Sequence, residues 1–183
     1  MTLLPRRSAR LAVGLGALVA LGAPLPAGAA LSASVADLTL PALAYSHQPR
    51  TVTGSLTLTA RDTGSCLLLV CSNDGWHVTI QSSSFAYSGT NGGSAIPAAN
   101  FAVIQANAPT RISGDAISAQ GGPRVPANNS TGSLDVARET LEAADGYGMG
   151  EYRQVLDVSL AVPGQARAGT YRATLTVTIS AGP

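Results

Sequence analysis

The stretch Asp62-Thr63-Gly64-Ser65-Cys66-Leu67-Leu68-Leu69-Val70-Cys71-Ser72-Asn73-Asp74-Gly75-Trp76-His77-Val78-Thr79-Ile80 holds both cysteines and the single tryptophan of the 183-residue chain. Before it, Val52, Leu56 and Leu58 share one face with Gly54 and Ala60, while Thr51, Thr53, Ser55, Thr57 and Thr59 share the other. At its end Trp76, Val78 and Ile80 alternate with His77, Thr79 and Gln81. Successive side chains of a strand point to opposite faces, so two half-buried strands are predicted, joined by a turn. The indole faces inward on this pattern. The competing reading is a surface tryptophan that stacks a sugar ring beside Tyr87 or Tyr147.

Cys66 and Cys71 stand five apart. In an oxidising compartment they are expected to form a disulfide, with free thiols as the alternative. Between them Leu67, Leu68, Leu69 and Val70 form an apolar tetrad. It either folds back into the interior or stands out as a contact loop for a partner or a membrane.

The compartment is set by the first residues. Arg6, Arg7 and Arg10 precede an apolar run over residues 11–23, which Pro24 and Pro26 end before the small-residue site Ala27-Gly28-Ala29. A basic end, a short apolar middle and an Ala-x-Ala site make residues 1–29 a secretory signal; the run is too short for a membrane span. Residues 30–183 are then expected as one domain, exported to the medium or the cell surface. All 11 basic residues are arginine, and the three in the signal leave with it, so the ten acids outnumber the rest. That balance excludes a basic nucleic-acid surface. No later stretch is long and apolar enough to span a bilayer.

Elsewhere a period of two recurs. Ala36-Asp37-Leu38-Thr39-Leu40 predicts a strand closed by Pro41, and Phe101-Ala102-Val103-Ile104 a short strand in either register. Residues 107–133 read as a long connection with one or two short strands, anchored to the core by Ile112 and Ile117. Leu134, Ala137, Leu141 and Ala144 are spaced as on a helix face, with Arg138 and Glu142 set to pair across one turn, which predicts a short helix. Leu156, Val158, Leu160 and Val162 mark a further strand. Gly169 opens the last, where Tyr171, Ala173, Leu175, Val177 and Ile179 alternate with polar residues. Short strands divided by Gly and Pro predict an all-β fold, an antiparallel β-sandwich of immunoglobulin-like topology.

Several segments, in this order, resemble the WxL-type domain of Gram-positive cell-surface proteins. They are the strand that leads to Asp62-Thr63-Gly64; Gly75-Trp76-His77-Val78; Gly148-Met149-Gly150-Glu151-Tyr152; and Gly169-Thr170-Tyr171 through Val177-Thr178-Ile179. Valine replaces leucine in the first Trp-x-Leu motif, and the second motif has no indole. Val and Ile for Leu are exchanges a core tolerates. The resemblance implies association with peptidoglycan or another cell-wall polymer, or with envelope proteins, through a fold that uses Asp62, Gly64, Gly75, Trp76, Val78, Gly148, Gly150, Tyr152, Gly169, Tyr171, Val177 and Ile179.

Catalytic chemistry finds little to work with. His47 and His77 are the only side chains suited to base catalysis at neutral pH, and no nucleophile elbow, His-Glu-x-x-His or Cys-x-x-Cys is present. Asp62, Asn73, Asp74 and Asp115 carry oxygens suited to calcium, but the spacing of a calcium loop is missing. The sequence therefore predicts a non-enzyme without a cofactor, acting in wall association, adhesion or surface assembly. Two rivals stand: a soluble carbohydrate-binding module that stacks sugars on Tyr87, Tyr147 and Tyr152, and a pilin-like subunit that assembles by strand exchange.

Overall fold

The computed structural model describes residues 31–67 and 70–182, omitting the side chains of Ser65–Leu67 and Val70–Ser72. The secretory signal predicted over residues 1–29 lies outside the described residues. In chain order the strands are β1 (Leu31–Val35), β2 (Arg50–Asp62), β3 (Ser65–Leu67), β4 (Val70–Ser72), β5 (Trp76–Ser82), β6 (Ala86–Ser88), β7 (Phe101–Ala106), β8 (Thr110–Gly114), β9 (Gly132–Ser133), β10 (Arg138–Ala143), β11 (Gly150–Val162), β12 (Thr170–Arg172) and β13 (Leu175–Ala181).

These strands build an all-β, antiparallel sandwich. The larger sheet runs β1-β2-β11-β7-β9, with β8 also on β11; the smaller runs β10-β5-β13. A ribbon of β6 and β12 and the hairpin β3–β4 complete it. Its spine is β2 against β11, paired without a break from Gly150 opposite Asp62 to Val162 opposite Arg50. Both strands alternate strictly, so Leu56, Leu58 and Ala60 meet the inward residues of β11, Tyr152, Leu156 and Val158, in one buried layer. Burial of such apolar area is the main force that joins the sheets.

The core has two parts. One holds Leu58, Ala60, Trp76, Val78, Leu141, Ala143 and Tyr152. The other holds Val52, Leu56, Ile80, Phe85, Ile96, Phe101, Val103, Leu134, Leu156, Val158 and Leu160. The Phe85 and Phe101 rings meet edge to face at 5.3 Å, which settles the β7 register with Phe101 and Val103 inward and Ile104 out.

Several expectations are corrected. The helix predicted around Leu134 to Ala144 is the strand β10, paired to β5 with a bulge between Glu139 and Leu141. That bulge buries Thr140 and Leu141 side by side, which imitates helical spacing. Arg138 does not pair with Glu142; it donates to Ser133 O and Asn129 Oδ1, and Glu142 takes Arg124 at 2.7 Å. Ile112 and Ile117 are exposed rather than anchored: Ile112 is on β8, an edge strand beside β11 with every residue exposed, and Ile117 is in the loop that follows it. The first strand is Leu31–Val35. Residues 37–40 keep alternating burial without a strand partner among the described residues, and Leu38 and Leu40 pack over Gly54. The last strand is two, β12 and β13, because Ala173 and Thr174 break the ladder and are exposed.

Candidate functional site

Most of the motif residues converge at the end of the sandwich where Gly150 faces Asp62. Asp62 is buried, and its Oδ1 accepts the Gly64 N–H at 2.8 Å to close the turn into β3. Asn73 does the same for the turn into β5: its Oδ1 accepts the Gly75 N–H at 3.0 Å, while its amide donates to Tyr147 O. Asn73 O in turn accepts the Gly146 N–H at 2.7 Å. Two loops distant in sequence are thereby tied together over Trp76. The indole is fully buried and donates to Gly148 O at 3.1 Å. Gly148 has φ +84°, and a Cβ there would lie 2.6 Å from Ala143 Cβ and 2.9 Å from Trp76 Nε1. Only glycine lets the loop close on the ring.

Tyr152 lies beside Trp76, ring centroids 6.3 Å apart, and donates to Asp115 O at 2.9 Å. Burial, with the nearby Asp115 and Asp62 carboxylates and against the pull of Arg111, pushes its phenol up to about 12. A fully buried Tyr152 cannot serve as a sugar platform. Val78 lies opposite Ile179 on β13, and Ile80 opposite Val177, so the two motif strands are neighbours in one sheet.

Gly169 and Tyr171 stand at the other end. Tyr87 on β6 faces Tyr171 on β12, ring centroids 5.3 Å apart. Gly169 leaves room for the Tyr87 ring, whose hydroxyl donates to Ala168 O at 3.0 Å. Tyr147 is exposed at the closed end, away from Tyr87. The three tyrosines therefore form no shared surface.

In the hairpin, Cys66 stands opposite Cys71 and Leu67 opposite Val70. Leu68 and Leu69, and the side chains of Cys66, Leu67, Val70 and Cys71, lie outside the described residues, and with them both the disulfide and the contact loop. His77 Nδ1 is 2.9 Å from Gly182 O, and His47 is exposed beside Tyr45. Among the described residues no three His, Cys, Asp or Glu side chains cluster as metal ligands.

Sequence reasoning missed two features. Gln154 is fully buried between the sheets, and its amide donates to Thr140 O at 2.7 Å and Asn107 O at 3.1 Å. It thus pins the β10 bulge to the corner between β7 and β8. A polar residue at an inward position of β11, between Tyr152 and Leu156, was the available signal. The second is a groove of about 1030 Å³ at the open end, between residues 35–46 and residues 166–175. Leu38, Leu40, Val162 and Leu175 give it partly exposed apolar surface, the buried Val52, Leu56, Phe101 and Leu160 lie beneath, and Arg50, Arg167 and Arg172 stand on its rim. A shallower dimple of about 310 Å³ lies on the outer face of the large sheet beside Asp157, whose carboxylate already accepts from Ser55 and Asn107.

No family model, curated protein or solved structure matches the chain. A concavity of mixed apolar and polar lining with arginines on its rim suits a ligand held partly by burial and steered by charge. No helix of the described residues is long and apolar enough to cross a membrane.

Proposed function

We propose that the protein is an exported, non-catalytic domain of the cell envelope, similar to WxL-type domains, that acts by adhesion or assembly. The observation that carries this reading is the partly apolar, arginine-rimmed groove at the open end. It offers a surface for holding another molecule, while the histidines stand apart in exposed and strand positions. The secretory pattern of residues 1–29 supplies the compartment. In that compartment the facing of Cys66 and Cys71 favours a disulfide, since opposed residues of an antiparallel pair lie about 4.5–5.5 Å apart at Cα, within the range the bond needs.

The test is to express the full-length gene in a Gram-positive host, fractionate the cells, and offer the exported product to purified protein-free walls. Sedimentation with walls or with envelope proteins is the expected result. Recovery from the medium with binding that free sugar elutes would favour the soluble carbohydrate module. Retention in the cytoplasm with residues 1–29 uncleaved would overturn the proposal. Intact mass after alkylation without reductant checks the disulfide: no labelled cysteine is expected, and two labels remove the cross-link.

A further inference from the structure

We infer that the groove accepts an extended peptide of another protein, with alternating apolar residues flanked by acids, which adds as an extra strand to the outer edge of β12, along residues 170–175 up to the start of β13. This rests on the adhesion or assembly reading and names the chemistry of the partner.

Topology gives the first reason. The order β1-β2-β11-β7, with β5 beside β13 in the facing sheet, matches A-B-E-D and C-F of an immunoglobulin sandwich. The position next to F, where G would lie, has no paired strand among the described residues: β1 of the facing sheet lies close to β13, with Leu31 and Ala33 in the same cluster as Val177 and Ile179, and the groove reaches β13 at Leu175. Burial shows the consequence. On β5, Trp76, Val78 and Ile80 are fully buried, whereas on β13 Leu175, Val177 and Ile179 are only half-buried. Leu38 and Leu40 cover part of the vacant position from the side.

Backbone chemistry decides between a peptide and an acyl chain. Among the described residues β12 pairs with β6 on one edge only, and residues 170–175 line the groove, so the free edge offers N–H and C=O groups there. A hydrocarbon leaves those groups unmet, while a strand pairs with them and turns every second side chain toward the partly exposed Leu38, Leu40, Val162 and Leu175. Six residues at about 3.3 Å each span roughly 20 Å along residues 170–175. Charge selects among peptides. The groove carries Arg50, Arg167 and Arg172 against Asp37, although acids outnumber arginines in the chain after the signal. The three side chains are exposed and form no ion pair among the described residues. They favour a strand with acidic flanks.

The experiment uses the exported full chain, biotinylated and presented to a phage library of random nine-residue peptides. Expected winners alternate apolar and polar residues and carry Asp or Glu at their ends. A fluorescein-labelled winner should lose binding when backbone N-methyl groups are placed on residues of one parity, and keep it with the other parity. Arg167→Glu with Arg172→Glu, folded by circular dichroism, should weaken it roughly tenfold. No enrichment above a bait-free control, equal binding of basic-flanked peptides, or indifference to N-methylation would overturn the inference. So would displacement of the winner by palmitate with equal potency in wild type and double variant, which marks a lipid groove. Failure here with the protein still sedimenting on walls sinks the strand acceptor alone; peptide binding without envelope association sinks the envelope reading alone.

Discussion

At the end of the sandwich where Gly150 pairs with Asp62, Trp76, Tyr152, Leu58 and Val78 are all fully buried. At the end where Val162 pairs with Arg50, the inward side chains Leu38, Leu40, Val162 and Leu175 stay half-exposed. Both ends draw on the same alternation of apolar and polar residues. Alternation decides which way a side chain points; a cover decides whether it is buried. The closed end has that cover in the two loops tied through Asn73 and Gly148, whereas at the open end residues 35–46 and 166–175 stand apart with a groove between them.

The contrast is broken most strongly at Trp76. Trp76→Ala is expected to cost about 3–5 kcal/mol, read from urea unfolding midpoints at constant slope. Gly148→Ala attacks the same lock: overpacking costs about 1–3 kcal/mol, and the left-handed backbone adds about 1–2 kcal/mol. If Gly148→Ala unfolds at the wild-type midpoint, the loop does not seal the indole.

Tyr152 sharpens the comparison through pH. Its phenol titrates near 12 in the folded chain against the ordinary 10, so the folded state holds a proton that the unfolded state has released between those values. The contribution of Tyr152 to stability is therefore level below pH 10 and falls from there toward pH 12, by about 2–3 kcal/mol in all. Tyr152→Phe should flatten that fall in unfolding curves taken from pH 8 to 11.5. Gln154→Ala, between the two ends, removes the donor from two buried carbonyls and should cost about 1–2 kcal/mol. At the open end Leu38→Ala is expected to cost less than about 1 kcal/mol, because the side chain is already half in solvent. A larger loss would show that residues 37–40 cap the core as firmly as the loops do at Trp76.

The long strands were legible because each has one buried face: β2, β5 and β11 alternate without a fault, and their register fixes the all-β sandwich. β10 was not, since a bulge shifts the period of two and places Thr140 beside Leu141 on the buried side. Ile112 and Ile117 misled for the opposite reason: an edge strand and the loop after it can carry apolar residues that nothing covers. The Trp76 end was half legible. Asp62-x-Gly64 and Asn73-Asp74-Gly75 announce turns in the sequence, but the bond from Trp76 to Gly148 joins positions 72 residues apart. The groove was hidden, because its floor, wall and rim come from segments that only the fold brings together.

The single indole lies wholly at the sealed end. Its emission should be that of a tryptophan away from water, and it will redden when the closed end opens. A molecule that settles between residues 35–46 and 166–175 will leave that light nearly unchanged. The domain thus carries an optical gauge of its own that reads one end and is blind to the other, so a flat intrinsic-fluorescence titration says nothing about whether the groove is filled.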